Sequence, residues 1–249
     1  MNRIQSLSAA LGDVSFRDPA AGAKVGAAQY AVARDETPLA LFAPLHYERN
    51  YAYPLVVWLH GPHDDENQLK RIMPLVSMRN YAAVAVRGTR RADRAAGKAG
   101  YRWSQQHADQ ILAEQRVFDA IDAARRRFHV SPRRIFIAGF DCGGTMAFRL
   151  AMDHPRRFAG VLSLCGAFPA GRGALRSLAE ARRVPIFLAC GRDSAQYPSD
   201  AVCEHLKLFH SAGLHVALRQ YPCGHELTPA MLADVDRWIM EQITAPAAT

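Results

Sequence analysis

Asp141 stands at the centre of Arg134-Ile135-Phe136-Ile137-Ala138-Gly139-Phe140-Asp141-Cys142-Gly143-Gly144-Thr145-Met146-Ala147. The run up to Gly139 is rich in branched and aromatic side chains, and small residues then lead into a helical pattern. The stretch therefore predicts a buried strand that turns sharply into a helix. Gly139 and Gly143 lie two residues before and two after Asp141, where a tight turn brings backbones too close for side chains. This is the layout of a nucleophile elbow. A carboxylate at its apex can attack carbon, but it has no hydroxyl proton to give up. The neighbouring Cys142 is a second candidate, since a thiol at a helix N-terminus can have its pKa lowered. It lies one residue out of register with the flanking glycines, so the expectation is that it presents its backbone N–H and packs its sulfur. His63-Asp64-Asp65-Glu66 is read as a polar cap opening a helix, with a metal site as the weaker alternative.

The elements that must position these residues alternate in type. Residues 30–33 and 39–44 predict two strands across a polar turn, and Pro54-Leu55-Val56-Val57-Trp58-Leu59-His60-Gly61 predicts a strand covered on both faces. A helix over 66–78 carries Leu69, Ile72, Met73 and Val76 at helical spacing, and residues 81–86 form the next strand. The charges and glycines of 87–104 predict a long loop. A helix over 105–128 follows, with Ile111, Phe118, Ile121 and Phe128 on one stripe and Arg125-Arg126-Arg127 at its C-terminal end. After the elbow come strands over 160–165 and 184–191, with a short cover over 168–183 between them. A helix over 199–212, an alternating strand over 215–221 and a helix over 228–243 complete the pattern, with Thr228 as N-cap and Pro229 in the first turn. This cadence implies a mainly parallel sheet with helices on both faces.

The chain has 249 residues, 49% hydrophobic and 22% charged, enough for a full core in a single α/β domain. Residues 1–26 read as a mobile arm or a loosely packed addition, and 27–249 as the domain. The formal charge of +8 comes from arginines spread along the chain, which fits a solvated surface and not a specific nucleic-acid footprint. Arg87, Arg90, Arg91, Arg94, Lys98 and Arg102 are a local exception. They form either a solvated loop or a surface that attracts an anionic substrate or partner. The five cysteines, Cys142, Cys165, Cys190, Cys203 and Cys223, show no CxxC pairing, which suits a reducing cytoplasm. No apolar run is long enough to span a membrane, and no export signal is legible. No cofactor is implied, and oligomeric state is not readable.

Several stretches together resemble the α/β-hydrolase fold, and within it the phospholipase/carboxylesterase group that includes acyl-protein thioesterases. They are Val56-Val57-Trp58-Leu59-His60-Gly61, Gly100-Tyr101-Arg102-Trp103, Ile137-Ala138-Gly139-Phe140 with Gly143-Gly144, and Asp153-His154-Pro155-Arg156-Arg157-Phe158-Ala159-Gly160. Cys190-Gly191-Arg192-Asp193 and Gly224-His225-Glu226 follow in the right order. The resemblance implies an ester-like small-molecule ligand. It places the family's acid on Asp193 and its base on His225, in the order this fold uses. In such a set the carboxylate holds the imidazole in one tautomer so that the other nitrogen takes a proton. Trp103 and Phe168 either line the pocket or pack in the core.

Two departures from that family shape the functional expectation. Asp141 occupies the position of the nucleophilic serine, and Pro62, after His60-Gly61, lacks the N–H that the family's oxyanion hole draws from there. The backbone N–H of Cys142 remains as the other donor. The leading expectation is a homologue without ordinary serine-esterase activity that binds a ligand or partner. One alternative is an active hydrolase in which Asp141 forms an ester intermediate that His225 helps water to cleave. Another is residual esterase chemistry, through water or Cys142.

Overall fold

A computed structural model describes residues 30–33, 38–93, 98–169 and 177–245. The arm expected over residues 1–26 lies outside them, as does the middle of the expected cover, residues 170–176. Eight strands form one sheet in the order β1-β2-β4-β3-β7-β8-β9-β10. They are β1 (Tyr30–Ala33), β2 (Leu39–Phe42), β3 (Tyr53–Leu59), β4 (Ala82–Val86), β7 (Val130–Phe140), β8 (Gly160–Leu164), β9 (Ile186–Gly191) and β10 (Val216–Tyr221). The pairs β1–β2 and β2–β4 are antiparallel, and every other pair in the sheet is parallel.

The apolar strands face helices on both sides, as unbroken hydrophobic runs in a parallel sheet require. In β3, Leu55, Val57 and Leu59 face one core layer with α2 (His107–Arg127), α3 (Cys142–Asp153) and α5 (Ser199–Ala212). Val56 and Trp58 face the other, with α1 (Gln68–Val76) and α6 (Pro229–Thr244). Thr228 caps α6 through its side chain, which accepts the Met231 N–H at 3.2 Å, and Pro229 occupies the first turn. The remaining helix, α4 (Leu178–Ala181), is a single short turn.

Three local expectations need correction. The stretch 87–104 is not a loop but a hairpin of β5 (Thr89–Asp93) and β6 (Lys98–Arg102), paired antiparallel from Thr89 with Arg102 to Asp93 with Lys98. The stripe expected on α2 holds except at its start. Ile121 and Phe128 are buried and Phe118 packs against the same core, but Ile111 is 56% exposed, and Ala113, Val117, Ala120 and Ala124 complete the buried face, where small side chains let the helix approach the sheet closely. Strand β10 does not alternate. As the sheet edge it leaves Ala217, Leu218, Arg219 and Gln220 exposed and buries only Tyr221.

The β5–β6 hairpin is tied to the loop after β3. Asp64 bridges to Tyr101, and the His63 N–H donates to the Tyr101 carbonyl at 2.9 Å. The Arg87 guanidinium donates Nε to Glu66 Oε2 at 2.6 Å and Nη2 to Glu66 Oε1 at 2.5 Å, and it stacks 4.7 Å over the Tyr101 ring. Glu66 is only 1% exposed, so its charge depends on this two-point partner. Arg87 is therefore a brace and not a free anion receptor. Removing it as Arg87→Ala is expected to lower stability by about 3 kcal/mol, as for other buried pairs that lose one partner. The double variant Glu66→Leu/Arg87→Met should regain most of that loss in urea unfolding. Equal losses in the two variants would contradict the assignment.

Candidate active site

The elbow forms where β7 ends and α3 begins. Asp141 adopts φ 50° and ψ −119°, outside the helical and extended regions that side chains favour. Its N–H donates to the Leu164 carbonyl at 2.9 Å, and its carbonyl accepts the Thr145 N–H at 2.9 Å, so both neighbours hold the turn. A Cβ on Gly143 would press into the carbonyl oxygens of Leu59 and His60, and one on Gly139 would strike the backbone of Gly143. Glycine at both places lets the turn close.

The Asp141 carboxylate meets His225, whose Nε2 lies 2.9 Å from Asp141 Oδ2. The imidazole is 9% exposed and the carboxylate 31%. On the other side of the ring, Nδ1 lies 2.9 Å from the Ser194 hydroxyl, which also accepts the Tyr197 N–H at 3.1 Å. The structure thus brings Asp141 and His225 together but does not bring in Asp193. The Asp193 side chain is 59% exposed and forms an ion pair with Arg192 at 3.0 Å. That guanidinium holds its carboxyl below the usual carboxylate range.

Ser194 is the site residue that the sequence reading missed. In the tight turn after β9, one step along the chain moves a side chain from solvent to interior, and Ser194 is 4% exposed. An acidic residue was the expected partner for histidine, and Ser194 carries no such chemical signature.

Residues 61–63 after β3 offer no amide to the pocket. The Gly61 N–H donates to Gln68 Oε1 at 3.2 Å, Pro62 has no N–H, and the His63 N–H is held by Tyr101. The buried His60 reinforces this arrangement. Its Nε2 accepts the Gly88 N–H at 2.9 Å, so Nδ1 carries the hydrogen donated to the Gly61 carbonyl at 2.7 Å. Burial also pushes the His60 pKa below the usual imidazole range, keeping the ring neutral. The Cys142 N–H opens α3, in the turn whose amides have no acceptor within the helix.

A cavity of about 440 Å³ opens over Asp141, lined by Arg102, Trp103, Ser104, Gln105, Gln106, Asp141, Cys142 and Thr145. Trp103 therefore lines the pocket, with its ring N–H donated to the His60 carbonyl at 3.1 Å. Phe168 does not; it packs in the core against Phe148 and Phe209. Of the cationic stretch, Arg102 borders the cavity and Arg90 is exposed, while Arg94 lies outside the described residues. The polar cap expected before α1 does not close on the helix amides: Asn67, the N-cap residue, makes no side-chain cap bond, while Asp65 Oδ1 accepts the Asn67 N–H at 2.8 Å and Asp64 accepts from Gln68 Nε2 at 2.9 Å and pairs with Arg71. Among the described residues, no three His, Cys, Asp or Glu side chains are grouped to hold a metal ion.

Sheet order, elbow and histidine loop together define an α/β-hydrolase fold. The chain belongs to the phospholipase/carboxylesterase family, whose profile matches residues 47–243. It is 23% identical over 145 residues to an Oryza sativa subsp. japonica protein named "Probable carboxylesterase", covering 57% of this chain and 61% of that one. It is 33% identical over 119 residues to NocK of Nocardia uniformis subsp. tsuyamanensis, covering 47% of this chain and 33% of NocK. The chain thus spans less than two thirds of either relative. The fold matches that of a carboxylesterase from Mesorhizobium loti at TM-score 0.67 and 20% identity, over 85% of this chain and 98% of that one. No described helix is long and apolar enough to cross a membrane.

Cys142 is poorly suited to act as a thiolate. Burial, followed by smaller effects that include the Asp141 charge, pushes its pKa up to about 11. From an ordinary value of 9.0, this lowers the thiolate fraction by about 10² near pH 8. Cys142 should therefore react with iodoacetamide at least about tenfold more slowly than the exposed Cys203, read by peptide mass spectrometry. Comparable rates would contradict this.

Proposed function

We propose that this carboxylesterase-family α/β-hydrolase does not perform ordinary serine ester hydrolysis and instead uses the pocket over Asp141 to bind a small ester-like molecule. The observation that carries the reading is the carboxylate of Asp141 at the elbow apex, 2.9 Å from His225 Nε2. Serine catalysis needs a hydroxyl there, whose proton passes to a bare imidazole nitrogen. A carboxylate only accepts hydrogen bonds, so the nitrogen facing it must hold its hydrogen. Loss of the nucleophile costs on the order of 10⁶ in turnover in serine hydrolases.

Two further features support the reading. With Gly61, Pro62 and His63 contributing no available amide, one oxyanion donor is missing, a loss of about 10² to 10³ in rate. The Asp141 charge would also repel the oxyanion that forms beside it. An anionic ligand would have to reach toward Arg102, away from Asp141.

A second reading rests on the 31% exposure of the Asp141 side chain beside the cavity. In it, a carboxylate oxygen displaces a leaving group from an alkyl carbon and forms an ester, which water then hydrolyses. Mass spectrometry after incubation with haloalkanes and epoxides would show an adduct on the Asp141 peptide, and its absence across a broad panel would remove this reading.

For the principal reading, purified protein should hydrolyse p-nitrophenyl acetate and butyrate no faster than buffer. Turnover well above buffer that His225→Ala abolishes would overturn the assignment.

A further inference from the structure

His225 lies between a hydroxyl and a carboxylate, as the base of a serine triad does, but the two partners sit on the opposite nitrogens. The carboxylate comes from the elbow and meets Nε2; the hydroxyl comes from the loop after β9 and meets Nδ1. In a Ser-His-Asp set the hydroxyl belongs on Nε2 and the carboxylate on Nδ1. We infer that the hydroxyl and carboxylate positions are exchanged in this site, and that Ser194 is the residue positioning His225.

The hydrogen-bond inventory fixes the direction. Asp141 Oδ2 can only accept, so Nε2 carries a hydrogen. Ser194 Oγ already accepts the Tyr197 N–H, which leaves its own hydrogen to donate to Nδ1 when the ring is neutral. Every polar atom on the line from Tyr197 to Asp141 then has a partner, with the imidazole turned end for end relative to a catalytic triad. Asp193 cannot substitute for Ser194, since its carboxylate points into solvent and holds Arg192. Ser194 is 4% exposed and absent from the cavity wall, so it acts through the imidazole and not on a ligand.

A hydroxyl at residue 141 alone would therefore face an imidazole with no carboxylate behind it. The serine polarity returns only when both residues change. This rests on the site assigned above and goes beyond it by naming the second position.

The experiment compares native protein, Asp141→Ser, Ser194→Asp and the double variant Asp141→Ser/Ser194→Asp. Each is read by the rate of fluorophosphonate labelling at position 141 and by thermal melting. The double variant should label at least about 10²-fold faster than Asp141→Ser, because loss of the orienting carboxylate in a serine triad costs on the order of 10⁴. Adding Asp193→Ala should leave that gain intact. Equal labelling of Asp141→Ser and the folded double variant, or loss of the gain with Asp193→Ala, overturns the inference. If the double variant does not fold, ¹⁵N NMR of the histidine ring decides. Ser194→Ala should move the His225 Nδ1 resonance and Asp193→Ala should not, and the reverse pattern overturns the inference. Ester turnover by the native protein would instead refute the proposed function, with the comparison among variants still reporting on Ser194.

Discussion

The structure depends on the close approach of α3 to the end of β3. Without a Cβ on Gly143, the helix can start against the carbonyls of Leu59 and His60, and without one on Gly139 the strand can pass beneath it. That contact forces Asp141 into its positive φ and drives its side chain away from the sheet toward the loop that carries His225. The turn is held through backbone bonds to Leu164 and Thr145, so its geometry is indifferent to the side chain at the apex. The framework therefore accommodates an aspartate at the apex.

Around that fixed point, the charges and hydrogen bonds are mutually consistent. A carboxylate at the start of α3 lies where the helix dipole favours negative charge. The imidazole supplies it with a hydrogen, and Ser194 supplies the far side of the ring. On the opposite wall, Gln68 holds the Gly61 amide while also accepting the Trp58 ring N–H at 2.7 Å, and Tyr101 takes the His63 amide. The loop that could have stabilised an oxyanion is thus bonded to its own surroundings. The cationic brace of Arg87 on Glu66 keeps this loop and the β5–β6 hairpin together.

The sheet and the elbow are legible in the sequence because each rests on a strong local constraint, whereas His225 is legible only through the resemblance to the family. Continuous apolar runs mark the parallel strands, and paired glycines mark the turn. The hairpin over 89–102 is hidden because its strands, Thr89–Asp93 and Lys98–Arg102, are short and mostly charged or small, with no alternation of apolar residues. The position of Ile111 on α2 is misread for a related reason. Alanines set how closely that helix approaches the sheet, while bulkier Ile111 is left in solvent. The register of the acid position is the subtlest failure. Asp193 and Ser194 are neighbours, and only the turn after β9 decides which one faces the histidine.

Neutron diffraction from a deuterium-exchanged crystal measures the central claim directly, since it locates hydrogens on the His225 ring. The account predicts a deuterium on Nε2 directed at Asp141 Oδ2, with the Ser194 hydroxyl beside Nδ1. A bare Nε2, or a ring turned away from Asp141 with its Nδ1 hydrogen on Asp193, would contradict it.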